Sequence, residues 1–556
     1  MSVQKTEMKS FKQYLFFIVS ALLFAFLFSC GNKETKKDPR TVFCYNEMGG
    51  LSSLDPAATS NFENIWAVNQ LYNGLVQMSD SLKILPCIAK SWVISEDGLT
   101  YTFKLRNDVF FHDHEVFNGG IGRKVVAKDF VYSFNRLYDP KVSSALSLLE
   151  NINQDKGKKG FEASNDETFI IYLKKPFSPF LGILTMKFFS VIPEEAALKF
   201  KEDFRRNPVG TGPFKFKYWE EGTRLVMHKN EKYFEFENKQ RLPYLDAVSV
   251  TFIREKEAAF MQFLKGDIDM LSGIDAFNPA EVLDADGKLK AFYQDKFYLQ
   301  TQPYIKTDYI GILVDDSLPH VKNSPLKLKA IRKAINYAFD REKLIIYFHN
   351  NIGYAANSGF IPKGLKSYNP KKVKGYYYSP EKVKKYLAEA GYPNGKGLPV
   401  ITLNTTENYM DILEYIQGQL NENNIKLKIN IQNSTVLKTG VAKNEFNLFK
   451  KSWIGDYADE ENFMSLFYSK NFSPKGFNYT HYKNEEFDKL FDLAQVEKND
   501  SVKTALYQKM DQLLIDDAPV IPLYYDQIIR LVRHNIANLG NNPMNLLNLK
   551  QVKKTN

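Results

Sequence analysis

Three side chains that commonly bind metal ions stand close together at His112, His114 and Glu115. The His-x-His spacing suits a metal site, but no helical His-Glu-x-x-His pattern accompanies it. The alternative is that these residues belong to a solvated loop, and we expect no bound metal. The segment 284–287 is too short for a calcium loop, because it lacks the later glutamate that such a loop needs.

Motifs for catalysis and for phosphate binding are missing from the sequence. The chain has no Gly-x-Ser-x-Gly, no Walker loop and only seven histidines. The glycine-rich segment 207–214 leads into a predicted strand, whereas a Gly-x-Gly phosphate loop needs a following helix. We therefore expect neither an enzyme nor a cofactor.

The hydrophobic pattern indicates an α/β protein. Tyr101, Phe103 and Leu105 alternate with polar residues, which predicts a half-buried strand. Apolar residues at helical spacing follow at 127–138 and predict a helix. Later in the chain we predict a helix at 330–339, a helix that Ser379 caps and Gly391 ends, a strand at 400–404, a helix at 412–420 and a strand at 425–431. Strand, helix and strand in succession predict a partly parallel sheet.

Several motifs resemble those of one family. They are Ala-x-Ser-Trp at 89–92, Asp-Gly-x-Thr-Tyr-Thr-Phe-x-Leu-Arg at 97–106, Phe-His-Asp at 111–113, Ala-x-Asp-Phe-Val-Tyr-Ser-Phe-x-Arg at 127–136, Asn-Pro-Val-Gly-Thr-Gly-Pro-Phe at 207–214 and Trp-x-x-Asp-Tyr at 453–457. Together they are similar to the peptide/nickel substrate-binding proteins of ABC importers, solute-binding protein family 5. The resemblance covers about residues 41–545.

This resemblance implies a two-lobed α/β fold, the type II periplasmic-binding-protein fold with an extra subdomain in lobe I and a hinge of two crossing strands. A chain of 556 residues is also too long for one core. The implied parts are a lipoprotein signal peptide at 1–29, a lipidated tether at 30–40, lobe I at 41–78, 205–298 and 518–556, the extra subdomain at 79–204, and lobe II at 299–517.

The same resemblance assigns roles to three residues of lobe II. Asp456 would receive the α-ammonium of a bound peptide, since a charge that leaves water needs a fixed partner. Trp453 would form a flat apolar wall beside the ligand, and Lys450 would face its distant carboxylate. The ordinary alternatives are a helix cap or a lysine partner for Asp456 and a place in the core for Trp453.

The N-terminus resembles a bacterial lipoprotein signal. Three lysines precede an apolar run at 14–28, and Cys30 follows Leu-Phe-Ser as in a lipobox. The run is shorter than the roughly 20 residues of a membrane-spanning helix, which argues against an uncleaved anchor. We expect lipid on Cys30 and an extracytoplasmic protein, anchored to the cell membrane on its periplasmic side. Gly31 leaves the outer membrane open as an alternative.

Charge and cysteine content limit the other partners. The net charge of +10 comes from lysines spread singly among acids, so we expect no nucleic-acid surface. With Cys30 lipidated, Cys44 and Cys87 could form a disulfide, but the few cysteines favour two buried free thiols.

The sequence thus predicts a monomeric, lipid-anchored binding protein that closes two lobes over a peptide and delivers it to an ABC permease and its ATPase. Two alternatives stay open. The same fold could take a nickel chelate, haem or an oligosaccharide as cargo, because fold alone does not decide the ligand. A periplasmic chaperone or enzyme is the alternative of another class.

Overall fold

The computed structural model describes residues 41–59, 61–154 and 160–555, so the predicted signal peptide and Cys30 lie outside the described residues. The strands are β1 Val42–Asn46, β2 Val76–Met78, β3 Ile84–Pro86, β4 Ala89–Ile94, β5 Thr100–Leu105, β6 Phe161–Asn165, β7 Thr168–Tyr172, β8 Phe214–Glu220, β9 Arg224–Lys229, β10 Phe236–Glu237, β11 Gln240–Arg241, β12 Ala247–Thr251, β13 Met270–Ser272, β14 Phe297–Ile312, β15 Tyr354–Ala355, β16 Ile401–Thr405, β17 Leu427–Ile431, β18 Leu448–Ile454, β19 Val520–Arg533, β20 Ile536–Ala537 and β21 Lys553–Lys554.

The α-helices are α1 Phe62–Leu71, α2 Ala127–Asn135, α3 Phe180–Ile183, α4 Glu194–Phe200, α5 Lys256–Lys265, α6 Pro279–Val282, α7 Ala291–Gln294, α8 Pro319–Lys322, α9 Lys329–Tyr337, α10 Arg341–His349, α11 Pro380–Glu389, α12 Met410–Glu422, α13 Ser434–Ala442, α14 Glu461–Met464, α15 Glu485–Val496 and α16 Asp500–Asp517. Within the described ranges, none of these helices combines the length and the apolar character that a membrane span requires.

One mixed sheet runs through the described chain in the order β17-β16-β18-β14-β19-β13-β1-β12-β9-β8, with β15 beside β19. The two long central strands pair antiparallel, from Phe297 opposite Arg533 to Gly311 opposite Val520. We call the part with β1, β8, β9, β12 and β13 the first lobe and the part with β16, β17 and β18 the second lobe. The strands β14 and β19 therefore join two lobes, as the family resemblance implies.

Each lobe has an apolar core of its own. In the first lobe, Phe43 and Trp66 belong to one buried cluster that also takes in Phe103 and Phe130 from the region of the small sheet β4-β5-β7-β6. In the second lobe, helices and strands bury separate clusters around Leu403 and around Phe360, Phe467 and Leu514. Each such side chain contributes about 1.5–3 kcal/mol when it leaves water, so each lobe can hold its own shape.

The small sheet and helix α2 form the strand-and-helix unit that the sequence predicts at 100–138. The Asp129 carboxylate accepts a hydrogen bond from the backbone N–H of Val126 at 2.9 Å and so fixes the first turn of α2. The rings of Phe130 and Phe134 lie 5.6 and 5.4 Å from the ring of Phe169 on β7. This unit lies in the predicted extra subdomain, whose boundaries at 79 and 204 stay a prediction.

The βαβ unit predicted after residue 400 is confirmed. Strands β16 and β17 pair in parallel, with Ile401 opposite Leu427, and α12 connects them. Helix α11 before them begins where the Ser379 hydroxyl accepts a hydrogen bond from the backbone N–H of Lys382. The amphipathic helix predicted at 330–339 is α9, which starts one residue earlier.

Cys44 and Cys87 are free thiols, as predicted, but Cys44 is half-buried, whereas burial was predicted for both. Cys87 is buried, and desolvation raises the pKa of its thiol to about 12. Burial also raises the pKa of the Cys44 thiol. Neither thiol is therefore an activated nucleophile at neutral pH.

Candidate functional site

Asp456 lies two residues beyond the end of β18, on the loop that leads to α14. The strand pairing places Ile454 opposite Lys306 of β14, so the sheet fixes where this loop begins. The buried Asn462 then holds the loop, because its Oδ1 accepts hydrogen bonds from the backbone N–H of Asp456 at 3.1 Å and from the indole N–H of Trp453 at 3.0 Å. One amide therefore connects the two residues that the sequence singled out.

A cavity of about 550 Å³ opens beside this loop. Its wall on the side of the second lobe is formed by Ile454, Gly455 and Asp456. The wall on the side of the first lobe includes the apolar side chains of Phe62, Met78, Met186, Phe188, Met544 and Leu546. The volume lies in the range of small-ligand sites, ~300–1,000 Å³. The cavity is thus a cleft between the two lobes. It is mostly apolar, with Asp456 on the second-lobe wall and Glu63 and Lys187 on the first-lobe wall.

The carboxylate of Asp456 is exposed towards this cavity, while protein surrounds its other sides. Desolvation raises the pKa of the carboxyl, and the side-chain amide of Asn462 opposes that rise. The two ordinary alternatives are absent from the described residues: α14 has Glu460 as its N-cap, and no lysine or arginine acts on the pKa of Asp456. The carboxylate is therefore free to pair with a cationic group that enters the cleft.

Trp453 is half-buried and supports the loop more than it lines the cleft. Its ring lies 5.6 Å from the ring of Phe477, and it packs against the cluster around Phe360. Among the described residues that wall the cavity, Trp453 is absent, although its neighbour Ile454 is present. Its predicted role as a wall beside the ligand stays a prediction.

The expectation that Lys450 faces the ligand finds no support in the geometry. The side chain is buried, and its Nζ donates hydrogen bonds to Asp308 Oδ1 at 2.5 Å and to the backbone oxygen of Lys451 at 2.9 Å. Lys306 lies 3.2 Å from the other oxygen of Asp308 and 2.7 Å from Asp526. The Lys450 ammonium is therefore part of a buried ion network inside the second lobe and is not offered to the cleft.

His112 is a packing residue of the glycine-rich turn. Its ring is buried, its Nε2 lies 3.0 Å from the carbonyl oxygen of Gly212, and burial lowers the pKa of the imidazole to about 4. The alternative of a solvated loop is therefore wrong for His112, because the turn at 207–214 covers it. Across the described ranges, no group of three or more His, Cys, Asp or Glu side chains could hold a metal ion.

The sequence model of the bacterial extracellular solute-binding proteins, family 5 (middle part), matches residues 83–475. This chain belongs to that family. It is 26% identical over 543 residues to the dipeptide-binding protein DppE of Bacillus subtilis, which covers 94% of this chain and 93% of the relative. It is 25% identical over 495 residues to the glutathione-binding protein GsiB of Shigella flexneri, which covers 88% of this chain and 89% of the relative.

A solved structure confirms the predicted fold class. The periplasmic binding protein DppA of Helicobacter pylori, solved in complex with the peptide STSA, is 26% identical to this chain. It superimposes on 94% of this chain and 100% of its own length with a TM-score of 0.72. The family 5 protein described here is thus a two-lobed α/β solute-binding protein of an ABC transporter for peptides or related ligands. Both curated relatives are named as binding proteins.

Sequence reasoning missed most of the cleft wall. The first-lobe side comes from residues in 59–65, Met78, and residues in 144–148, 185–188 and 544–546, which are far apart in the chain and carry no shared spacing. The supporting role of Asn462 could have been predicted from the sequence, because Asn462 lies in the same short stretch as Asp456 and its amide oxygen can accept two hydrogen bonds.

Proposed function

We propose that this protein is a lipid-anchored extracytoplasmic receptor that captures peptides between its two lobes and delivers them to an ABC permease and its ATPase. The observation that carries the proposal is the unpaired carboxylate of Asp456 on the wall of a mostly apolar cleft cavity. Membership of family 5 supports the solute-binding part, and the lipid anchor is inferred from the sequence around Cys30.

In this proposal Asp456 holds the α-ammonium of the peptide and fixes its register. An ammonium that enters a water-poor cleft loses hydration, and a fixed carboxylate replaces it. Three methionines, Met78, Met186 and Met544, line the opposite wall. Because methionine is flexible and polarizable, it adapts to side chains of different shape. The cavity therefore combines a fixed carboxylate for the ammonium with a tolerant apolar wall, as a receptor for varied short peptides requires.

Direct contacts between the lobes would have to break for a ligand to enter. The backbone N–H of Ser178 donates to the carbonyl oxygen of Gln495 at 2.7 Å, and Lys498 Nζ donates to the carbonyl oxygen of Glu96 at 2.6 Å. The crossing strands carry register irregularities between Pro303 and Thr307. We infer that the lobes move about this irregular part of the hinge, and that a ligand touching both walls stabilises the closed form.

The test is native mass spectrometry of the purified protein before any ligand is added. The proposal predicts a ladder of extra masses that match short peptides, because a closed cleft retains what it has captured. A single mass that matches no peptide, such as a haem or a metal chelate, would contradict it. If the protein is empty, titration with di-, tri- and tetrapeptides and with glutathione decides, and binding of none of them contradicts the proposal.

A further inference from the structure

A second charged residue of the cleft is Lys187. Its side chain lines the 550 Å³ cavity and also a smaller cavity of about 40 Å³ next to it. Apart from Lys187, Lys550 and Asp80, the smaller cavity is walled by uncharged side chains, among them those of Asn69, Asn73, Gln77, Tyr233, Asn542 and Asn548. A space of this size holds one small polar group, since a single water needs about 10–15 Å³.

The ammonium of Lys187 has no partner of opposite charge. Among the residues that the structure describes, no carboxylate lies within ion-pairing distance of it and none accepts a hydrogen bond from its Nζ. Desolvation lowers its pKa to about 8, with Lys550 acting in the same direction and the thiol of Cys87 opposing. Desolvation of an ammonium is unfavourable, and lysines with a purely structural role usually offset it with an ion pair. A half-buried lysine without such a partner is therefore unusual.

The charged side chains near Lys187 do not supply its ammonium with a partner of opposite charge. Lys550 forms an ion pair with Glu235, and Asp80 accepts a hydrogen bond from the side-chain amide of Asn542 at 3.3 Å. In the large cavity the other charged side chains are the acids Glu63 and Asp456. Among the described residues that line the large cavity, Lys187 is therefore the single basic side chain. The carboxylate of Asp456 lines the same cavity and could hold the opposite end of a ligand.

We propose that Lys187 is the anion-recognition residue of the cleft and binds a carboxylate of the ligand where the large and the small cavity meet. The inference rests on the proposed function and deepens it, because it makes the preferred ligand a short zwitterion with its ammonium at Asp456. The carboxylate is either the C-terminus of a short peptide or an acidic side chain. The same ammonium chemistry serves both sources, and the amide groups of the small cavity add hydrogen-bond donors.

Three tripeptides separate the sources in calorimetric titrations of the purified protein: Ala-Ala-Ala, its C-terminal amide, and Ala-Glu-Ala amide. A charge-assisted contact predicts that the wild type binds at least one carboxylate-bearing peptide about tenfold or more tightly than Ala-Ala-Ala amide. Tight binding of Ala-Ala-Ala alone points to the C-terminus, and tight binding of Ala-Glu-Ala amide points to the side chain. Lys187→Met should abolish the preference, and Lys187→Arg should restore most of it.

The matched control is Lys217→Met, because Lys217 is an exposed lysine on β8 away from both cavities. This control should keep the preference of the wild type. Equal binding of all three peptides by the wild type, or a preference that survives in Lys187→Met, would overturn the role of Lys187 while leaving the peptide receptor intact.

If no peptide binds, that result counts against the proposed function itself. A second measurement then tests separately whether Lys187 binds anions. The rate at which acetic anhydride modifies Lys187 at pH 8 is mapped by mass spectrometry, with Lys217 as the internal reference. Millimolar succinate should slow the modification of Lys187 and leave that of Lys217 unchanged. A rate at Lys187 that succinate does not change would overturn the anion site.

Discussion

Replacing Asp308 by asparagine should destabilise the second lobe, because it removes the acid at the centre of a buried ion network. Asp308 lies on β14 opposite Ser452 of β18, and its side chain and that of Lys450 are fully buried. Burial alone would raise the pKa of Asp308, yet Lys450 and Lys306 outweigh it and hold that pKa below its ordinary value. Asp308→Asn keeps the shape and leaves the ammonium of Lys450 without its counter-charge.

The expected loss is about 3–5 kcal/mol of unfolding free energy, the usual cost of leaving one half of a buried ion pair alone. The loss of unfolding free energy also has an upper limit. Burial already lowers the pKa of Lys450 from 10.5, so the unpaired lysine can release its proton, and at pH 7 that release costs at most about 5 kcal/mol. Lys306 keeps Asp526 at 2.7 Å and adds little to the loss.

Urea unfolding at pH 7 and at pH 9 measures the effect. A lysine whose pKa is lowered in the folded state binds fewer protons there than in the unfolded chain, so the difference between wild type and Asp308→Asn should shrink as the pH rises. Asp316→Asn, at an exposed aspartate just beyond β14, should change stability by about 0.5 kcal/mol or less. A loss below about 1 kcal/mol in Asp308→Asn, or a difference that grows with pH, would refute this reasoning.

Two further predictions concern Asn462 and Asp511. Asn462→Ala leaves the indole N–H of Trp453 and the backbone N–H of Asp456 without their acceptor. We therefore expect the free energy of unfolding in urea to fall by about 1–3 kcal/mol and peptide binding, measured by calorimetry, to weaken several-fold. Unchanged affinity would contradict the role of Asn462 as a support of the loop. Burial raises the pKa of Asp511 from 3.8 to about 7, so the folded state holds an extra proton between these values and wild-type stability should fall as pH rises through that window. Asp511→Asn should flatten this part of the profile in pH-dependent unfolding, and an unchanged slope would show that another group is responsible.

Much of the fold could be predicted because local patterns and packing agree. Helix α11 begins at the serine cap and ends before the glycine that the sequence marks, and β16, α12 and β17 follow their hydrophobic periods. The predicted ends of the helices were less accurate, since α12 extends two residues beyond the predicted range at each end. The way in which β14 and β19 join both lobes came from the family resemblance, because pairing between strands more than 200 residues apart has no local signal.

The site could be predicted only in part. The loop around Asp456 was found because its motif is compact in sequence, whereas the first-lobe wall is assembled from five distant segments. Lys450 shows the limit of carrying a role over by position. Its place on β18 points it at Asp308 in the interior of the lobe, and no spacing in the sequence distinguishes a buried lysine from one that faces a ligand. The sequence wrongly predicted that His112 is solvated, because the turn that covers it lies a hundred residues further along the chain.

The most direct test of the account is a titration of wild type and Asp456→Asn with one tripeptide and with its N-acetylated form. If Asp456 holds the ammonium, the substitution should weaken binding of the free peptide by more than about tenfold, and it should leave the already weak binding of the acetylated peptide unchanged. Since burial raises the pKa of Asp456, wild-type affinity should also fall in mildly acidic solution. Equal affinity of both proteins for the free peptide would contradict the central claim.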